Sequence, residues 1–99
     1  LRREFLKMPQ IFKYGKYRVY FWVNENDPLE PVHVHVIEGK PAANATKIWI
    51  TQTGRCILCH NASRIPSYDL RKIMKVIDAN SAYIIQQWHA CFNEISYYC

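Results

Sequence analysis

The stretch VHVHVIEGKPAANATKIWIT, residues 32–51, decides the fold of this chain. Apolar and polar residues alternate at both of its ends, which is the period of a β-strand with one buried face. In the first strand, Val34 and Val36 point to one side of the sheet and His33 and His35 to the other. The intervening EGKPAANA contains Gly and Pro and predicts a turn or short loop between two strands.

Further strands are predicted on both sides of this stretch. Upstream, IFKYGKYRVYFWVN (11–24) has a Gly15–Lys16 break between two aromatic, β-branched runs, which is typical of a hairpin. Downstream, QTGR (52–55) predicts a hairpin turn and CILCH (56–60) a last short strand. The chain therefore predicts a sheet of four or five strands.

The hydrophobic period changes after Pro66. Apolar residues then recur at i, i+3, i+4 and i+7, which is one stripe of a helix; they are Leu70, Ile73, Met74 and Ile77. A second stripe follows, made of Ile84, Trp88, Cys91 and Ile95. Ser67 is the predicted N-cap of the first helix, Asn80 its left-handed end and Ser81 the cap of the second helix.

Strands first and helices last predict an α+β domain, with an antiparallel sheet of four or five strands and two C-terminal helices packed on one face. The face beneath the helices is predicted to carry Val19, Phe21, Val34, Val36, Ile48 and Ile50. The opposite side, called the outer face below, is predicted to be open to water. Its predicted residues are Arg18, Tyr20, Trp22, His33, His35, Lys47 and Trp49.

The His33/His35 pair is the most informative feature of the outer face. Two residues on one side of a strand lie roughly 6.5–7 Å apart, so one imidazole can act as base and the other as acid, or both can share a metal ion. We predict His33 and His35 as catalytic residues of a metal-independent, ribonuclease-like site. The alternatives are a metal-binding domain that uses this His pair, polar surface residues, or side chains hydrogen-bonded to Asp27 and Glu30 of the preceding loop.

Four further residues of the outer face are predicted to bind nucleic acid. Arg18 and Lys47 supply positive charge for phosphate, and Trp22 and Trp49 supply rings on which unpaired bases stack. The same basic, aromatic face also suits a non-enzymatic module that holds a protein partner or nucleic acid without doing chemistry.

The CILCH segment is a second candidate for chemistry, because it matches the c-type haem attachment pattern. In a strand, however, Cys56 and Cys59 lie three residues apart and point to opposite faces, which disfavours both haem attachment and a zinc knuckle. A zinc site of Cys56, Cys59 and His60, completed by His89 or Cys91, is the weaker alternative, and no cofactor is predicted.

Charge and composition restrict the setting of the 99-residue chain. The formal net charge is +5 at pH 7, with a basic cluster in residues 1–18, which suits RNA or an acidic protein. No apolar run approaches the roughly 18 residues of a membrane span, and no secretory signal is evident. We expect no membrane contact, a cytoplasmic location and reduced thiols, and the sequence leaves the oligomeric state open.

Several of these segments resemble one bacterial family, domain of unknown function 4160. The resemblance is carried by MPQIFKYGKYRVYFWVNENDPLEPVHVHVIEGK, by TKIWI and by the final IIQQWHACFNE. It implies a single domain over residues 8–98 behind an extension of residues 1–7. It also implies a DhiT-type toxin of a type II toxin–antitoxin pair, acting on RNA or translation beside a small acidic antitoxin-like partner, with His33 and His35 as motif positions and Pro31 shaping the turn before them.

Overall fold

The sheet is a five-stranded antiparallel meander, in which the order of the strands in space is their order in the chain. The computed structural model describes residues 10–23 and 28–99. The strands are β1 (Gln10–Tyr14), β2 (Tyr17–Tyr20), β3 (His33–Glu38), β4 (Thr46–Ile50) and β5 (Cys56–His60). The predicted hairpin, the strand pair of residues 32–51 and the CILCH strand are therefore confirmed. The predicted extension of residues 1–7 and the domain start at residue 8 lie outside the described residues and stay predictions.

Two helices follow the sheet, as predicted: α1 (Ser67–Ala79) and α2 (Ser81–Phe92). The predicted caps are wrong. Ser67 is the first residue of α1 and Pro66 its N-cap, while Asn80 has φ −109° and no left-handed backbone. The left-handed residue is Asn93, with φ 63°, at the end of α2. No helix within residues 10–23 and 28–99 is long and apolar enough to cross a membrane.

The core lies between the helices and one face of the sheet. All six residues predicted for that face are buried, and they cluster with Ile73, Ile77, Ile84 and Trp88 of the helices. Trp88 is the largest of them, with its ring centroid 5.0 Å from that of Phe21 and 4.6 Å from that of Phe92. The predicted stripe of α2 is wrong at two positions, because Cys91 is exposed and Ile95 lies beyond the end of the helix.

Two turns have glycines that their geometry requires. Gly15 has φ +59° in the two-residue turn between β1 and β2, where an L residue is strained. Gly54 has φ +89° between β4 and β5, and a Cβ there would lie 2.9 Å from Oγ of Ser81. The β4–β5 turn is thus fitted closely against the start of α2.

Candidate functional site

The strand register brings three basic side chains into one row across the outer face. His35 of β3 pairs with Lys47 of β4, and Lys47 pairs with His60 of β5. The last pairing depends on a bulge: Ile48 is opposite Leu58 but Lys47 is opposite His60, so Cys59 is the extra residue of β5. This insertion places His60 on the outer face, a placement that the sequence alone did not suggest.

His33 lies on the same side of β3 but is buried, with an exposed fraction of 0%. The prediction that both imidazoles face water is therefore wrong for His33. The pairing of β2 with β3 ends at Tyr20 and His35, so within the described strands His33 has a neighbour only in β4. Its ring packs at 5.2 Å from the ring of Trp88 and 5.7 Å from that of Trp49.

The contacts of His33 determine the tautomer of its neutral ring. Nδ1 lies 2.9 Å from the carbonyl oxygen of Pro31, and a carbonyl only accepts, so Nδ1 carries the proton. In the neutral ring Nε2 is then the basic nitrogen, and it is buried. This bond ties the loop before β3 to the first residue of the strand.

His35 is half-buried and is the more accessible member of the pair. Its ring centroid lies 5.0 Å from that of His33, nearly perpendicular to it, and 5.5 Å from that of Tyr20. The structure thus brings the two predicted imidazoles together, but only His35 faces the surface. A reacting group on the outer face meets His35 first.

Lys47 is the cation at the centre of the row, and a carboxylate already compensates it. Its Nζ lies 2.5 Å from Oε1 of Glu30 and 4.5 Å from the ring centroid of Trp49. The same Glu30 oxygen lies 4.0 Å from Nδ1 of His33. The sequence suggested Glu30 only as a partner of the histidines, whereas in the structure its hydrogen bond goes to Lys47; Asp27 lies outside the described residues. Any anion that approaches Lys47 therefore meets the Glu30 carboxylate beside it.

A segment that the sequence analysis missed completes this end of the sheet. Residues 93–99 turn back after α2, where the N–H of Val32 donates to the carbonyl of Ser96 at 2.9 Å and the N–H of Gln52 to that of Cys99 at 3.1 Å. The exposed ring of Tyr98 lies parallel to that of Trp49, with centroids 4.8 Å apart. The aromatic residues in SYYC (96–99) are the sequence signal that could have indicated this packing.

The other two predicted binding residues lie further from Lys47. Arg18 is half-buried and pairs with Ile37, one row away from His35 on the same face. Trp22 is half-buried and packs edge-on against Tyr20, with centroids 5.5 Å apart. Tyr20 is itself buried, so the prediction that the outer face is open to water is also wrong there.

The structure does not bring Cys56, Cys59 and His60 together. Sγ of Cys56 lies 3.4 Å from the carbonyl oxygen of Met74, whereas Cys59 and His60 are exposed. Burial, and next the neighbouring carboxyl of Asp78, raise the pKa of the Cys56 thiol to about 12. Within the described parts of the chain, no group of three or more metal-binding side chains could hold an ion.

The fold and the outer face define a small α+β protein with a basic, aromatic sheet surface. No curated protein and no solved structure matches the chain. One family model matches residues 17–89, and its description is "Domain of unknown function (DUF4160)". Since the match covers well over half of the sequence, the chain belongs to this family. The matched region runs from β2 to most of α2. It includes His33, His35, Lys47 and Trp49 but not Tyr98.

Proposed function

We propose that this protein is the RNA-binding component of a toxin–antitoxin pair and that a single-stranded RNA segment lies on its outer face. The observation that carries the proposal is the row of His35, Lys47 and His60 beside the parallel rings of Trp49 and Tyr98. A cation binds the backbone phosphate, while aromatic rings stack the bases of an unpaired strand. The net charge of +5 adds a general attraction for RNA.

Each predicted residue has a separate role in this proposal. Lys47 takes a phosphate when Glu30 releases it, and Trp49 stacks a base. Arg18 takes a second phosphate one row away, and Trp22 extends the aromatic surface. His33 is a structural residue that fixes the loop before β3 through its bond to Pro31.

An acidic protein is the partner that this face suits. The ion pair between Glu30 and Lys47 shows that a carboxylate can bind this cation. A partner protein with carboxylates on an extended segment would exclude RNA by the same contact. We propose a small antitoxin-like protein of this kind, acting with the toxin in the cytoplasm.

RNA cleavage is the second candidate function, and the same row of residues favours it. His35 and His60 flank Lys47, so a phosphate on Lys47 lies between two imidazoles that can act as base and acid. The N–H of Ala62 donates to Nδ1 of His60 at 3.3 Å, which leaves Nε2 to carry the proton of the neutral ring. This pair replaces the predicted pair of His33 and His35, because His33 is buried.

Removing the central cation tests the proposal. We expect Lys47→Gln to weaken binding of a labelled single-stranded RNA and to reduce the slope of log K against log salt by about 0.7, the contribution of one phosphate contact on a single strand. Trp49→Ala should weaken binding roughly 5- to 150-fold, the equivalent of about 1–3 kcal/mol of stacking. Fluorescence anisotropy at several salt concentrations measures both.

The matched control for the charge is Lys75→Gln, which removes the same charge from an exposed position of α1, on the other side of the sheet. An equal loss of binding in Lys47→Gln and Lys75→Gln would contradict a site on the outer face. Shortened RNA in the wild-type samples, absent with His35→Gln or His60→Gln, would decide for cleavage over binding alone.

Glu30→Gln provides a test in the opposite direction. Its neutral amide no longer competes for Lys47, so we expect this variant to bind RNA more tightly than the wild type, by about two- to fivefold for one exposed ion pair. Glu38→Gln breaks another surface ion pair, with Lys16 at 3.6 Å, and should leave the affinity nearly unchanged. Weaker binding by Glu30→Gln would show that Glu30 supports the site instead of blocking it.

A further inference from the structure

A cleft of about 460 Å³ opens at the end of the sheet opposite His33. It lies where β2 begins and β3 ends, against the loop that leads into α1. At about 3.3 Å per residue, this end of β3 is roughly 16 Å from His33. Its main walls are Tyr17, Ile37, Glu38, Asn44, Arg64 and Ile65. The volume falls within the range of small-ligand sites.

The backbone of Arg64 is the unusual feature of this cleft. Arg64 has φ 57°, in the left-handed region that residues other than glycine and asparagine rarely adopt. Asn61 holds the loop in this shape: its carbonyl accepts from the N–H of Arg64 at 3.0 Å, and its side chain bonds both the N–H and the carbonyl of Ile65. Glycine would meet the backbone requirement without strain, so the arginine side chain needs another explanation.

The charges around the cleft leave one cation uncompensated. Arg64 is exposed and makes no side-chain hydrogen bond or ion pair within the described residues. Glu38, which also lines the cleft, is paired with Lys16, and Asp69 accepts from the hydroxyl of Tyr17 at 2.6 Å. Burial, and next Asp69, raise the pKa of Tyr17 to about 12, so this ring stays neutral.

The walls combine apolar side chains with the polar residues Glu38, Asn44 and Ser63. Tyr17 and Ile65 belong to the core cluster, whereas the Ile37 side chain packs with Tyr20 and Ala45 on the outer face. The apolar part of the lining is therefore made by Tyr17, Ile65 and Pro66. A ligand that carries both an apolar part and one negative group matches this lining. The Glu38 carboxylate in the same lining disfavours a dianion such as a phosphate monoester, because Arg64 is the one cation among the residues that line the cleft.

We propose that this cleft binds an apolar group bearing a single carboxylate, with the carboxylate on the Arg64 guanidinium and the apolar body against Tyr17, Ile65 and Pro66. Two sources share this chemistry: the C-terminal residue of a peptide and a free small acid. The exposed side chain of Asn44 at the cleft offers a hydrogen bond for a peptide amide. The site is separate from the outer-face row, so its test does not depend on RNA binding.

Amide NMR titrations of the full chain test the proposal with three probes. N-acetylphenylalanine represents a peptide C-terminus and 3-phenylpropionate a free acid, while N-acetylphenylalaninamide lacks only the negative charge. We expect saturable shifts at Ile37 and Ile65 with the two acids, and at least about tenfold weaker binding of the amide. The acid that binds more tightly shows whether the cleft prefers a peptide C-terminus or a free small acid. Equal affinity for acid and amide, or no saturable shift at these residues at millimolar concentrations, overturns the proposal.

Two substitutions separate the side chain of Arg64 from its backbone. Arg64→Gln should weaken acid binding about tenfold, whereas Arg55→Gln, which removes an exposed arginine from the β4–β5 turn, should leave it unchanged. Arg64→Gly removes the guanidinium but suits the left-handed backbone, so we expect lost acid binding with an equal or higher melting temperature. A lower melting temperature in Arg64→Gly would show that the arginine is structural and would overturn the inference.

Discussion

Replacing Trp88 with alanine is expected to lower the free energy of unfolding by about 3–5 kcal/mol, the usual loss for a large aromatic residue in a core. Trp88 is fully buried and packs against Phe21, Phe92 and His33, so truncation leaves a cavity between α2 and the sheet. Its indole N–H has no hydrogen-bond partner within the described residues, so the loss is one of packing. Urea unfolding followed by circular dichroism measures it.

Trp49→Ala is the matched control, since it removes the same side chain from a half-buried position. We expect it to cost about 1 kcal/mol, mainly the contact with Tyr98. If Trp88→Ala does not fold, Trp88→Phe should still fold and lose about 1–2 kcal/mol, because it keeps a ring and gives up no hydrogen bond. Similar unfolding midpoints for the wild type and Trp88→Phe would contradict a tightly packed core at this position.

Thr46→Val is expected to cost about 2–3 kcal/mol, although the two side chains have nearly the same shape. Thr46 is fully buried in β4, and its hydroxyl donates to Oδ1 of Asn61 at 2.6 Å. The same hydroxyl lies 2.6 Å from Oγ of Ser63 and accepts from the Ser63 N–H at 3.3 Å. Valine removes one partner from Asn61 and from the Ser63 hydroxyl, and it leaves the Ser63 N–H without a partner among the described residues, which costs more than that hydrogen bond contributed.

Thermal and urea unfolding measure this loss, with Thr53→Val as the control because Thr53 is exposed in the β4–β5 turn. The control should change stability by less than about 0.5 kcal/mol. Since Thr46 holds the loop that carries Arg64, Thr46→Val should also weaken binding of N-acetylphenylalanine. An equally stable Thr46→Val protein would show that Asn61 and Ser63 find other partners at no cost.

The layered fold could be predicted because it depends on local periods. Alternation in residues 32–37 and 46–51 identifies β3 and β4, and the stripe of Ile73 and Ile77 identifies α1. Element ends were harder to predict. Asn80 and Asn93 are both plausible left-handed ends, but α2 starts immediately after Asn80, and only Asn93 is followed by chain that leaves the helix.

The residues of the candidate site could be predicted from the sequence, but their burial and their contacts could not. Side-chain alternation places His35, Lys47 and Trp49 on one face from local sequence alone. The burial of His33 depends on where β2 stops relative to β3, and the position of His60 depends on a bulge at Cys59. The contact of Lys47 with Glu30 and that of Trp49 with Tyr98 join residues 17 and 49 positions apart, which no local pattern encodes.

The path of residues 93–99 has a practical consequence for anyone who labels this protein. The carbonyl of Cys99 accepts from the N–H of Gln52, so a fluorescent protein joined directly after Cys99 would begin beside the β4–β5 turn, next to the Tyr98 ring that stacks on Trp49. Such a fusion would report weak RNA binding even if the native face binds well. A small dye on Lys72 or Lys75 of α1 sits behind the sheet and leaves that surface accessible.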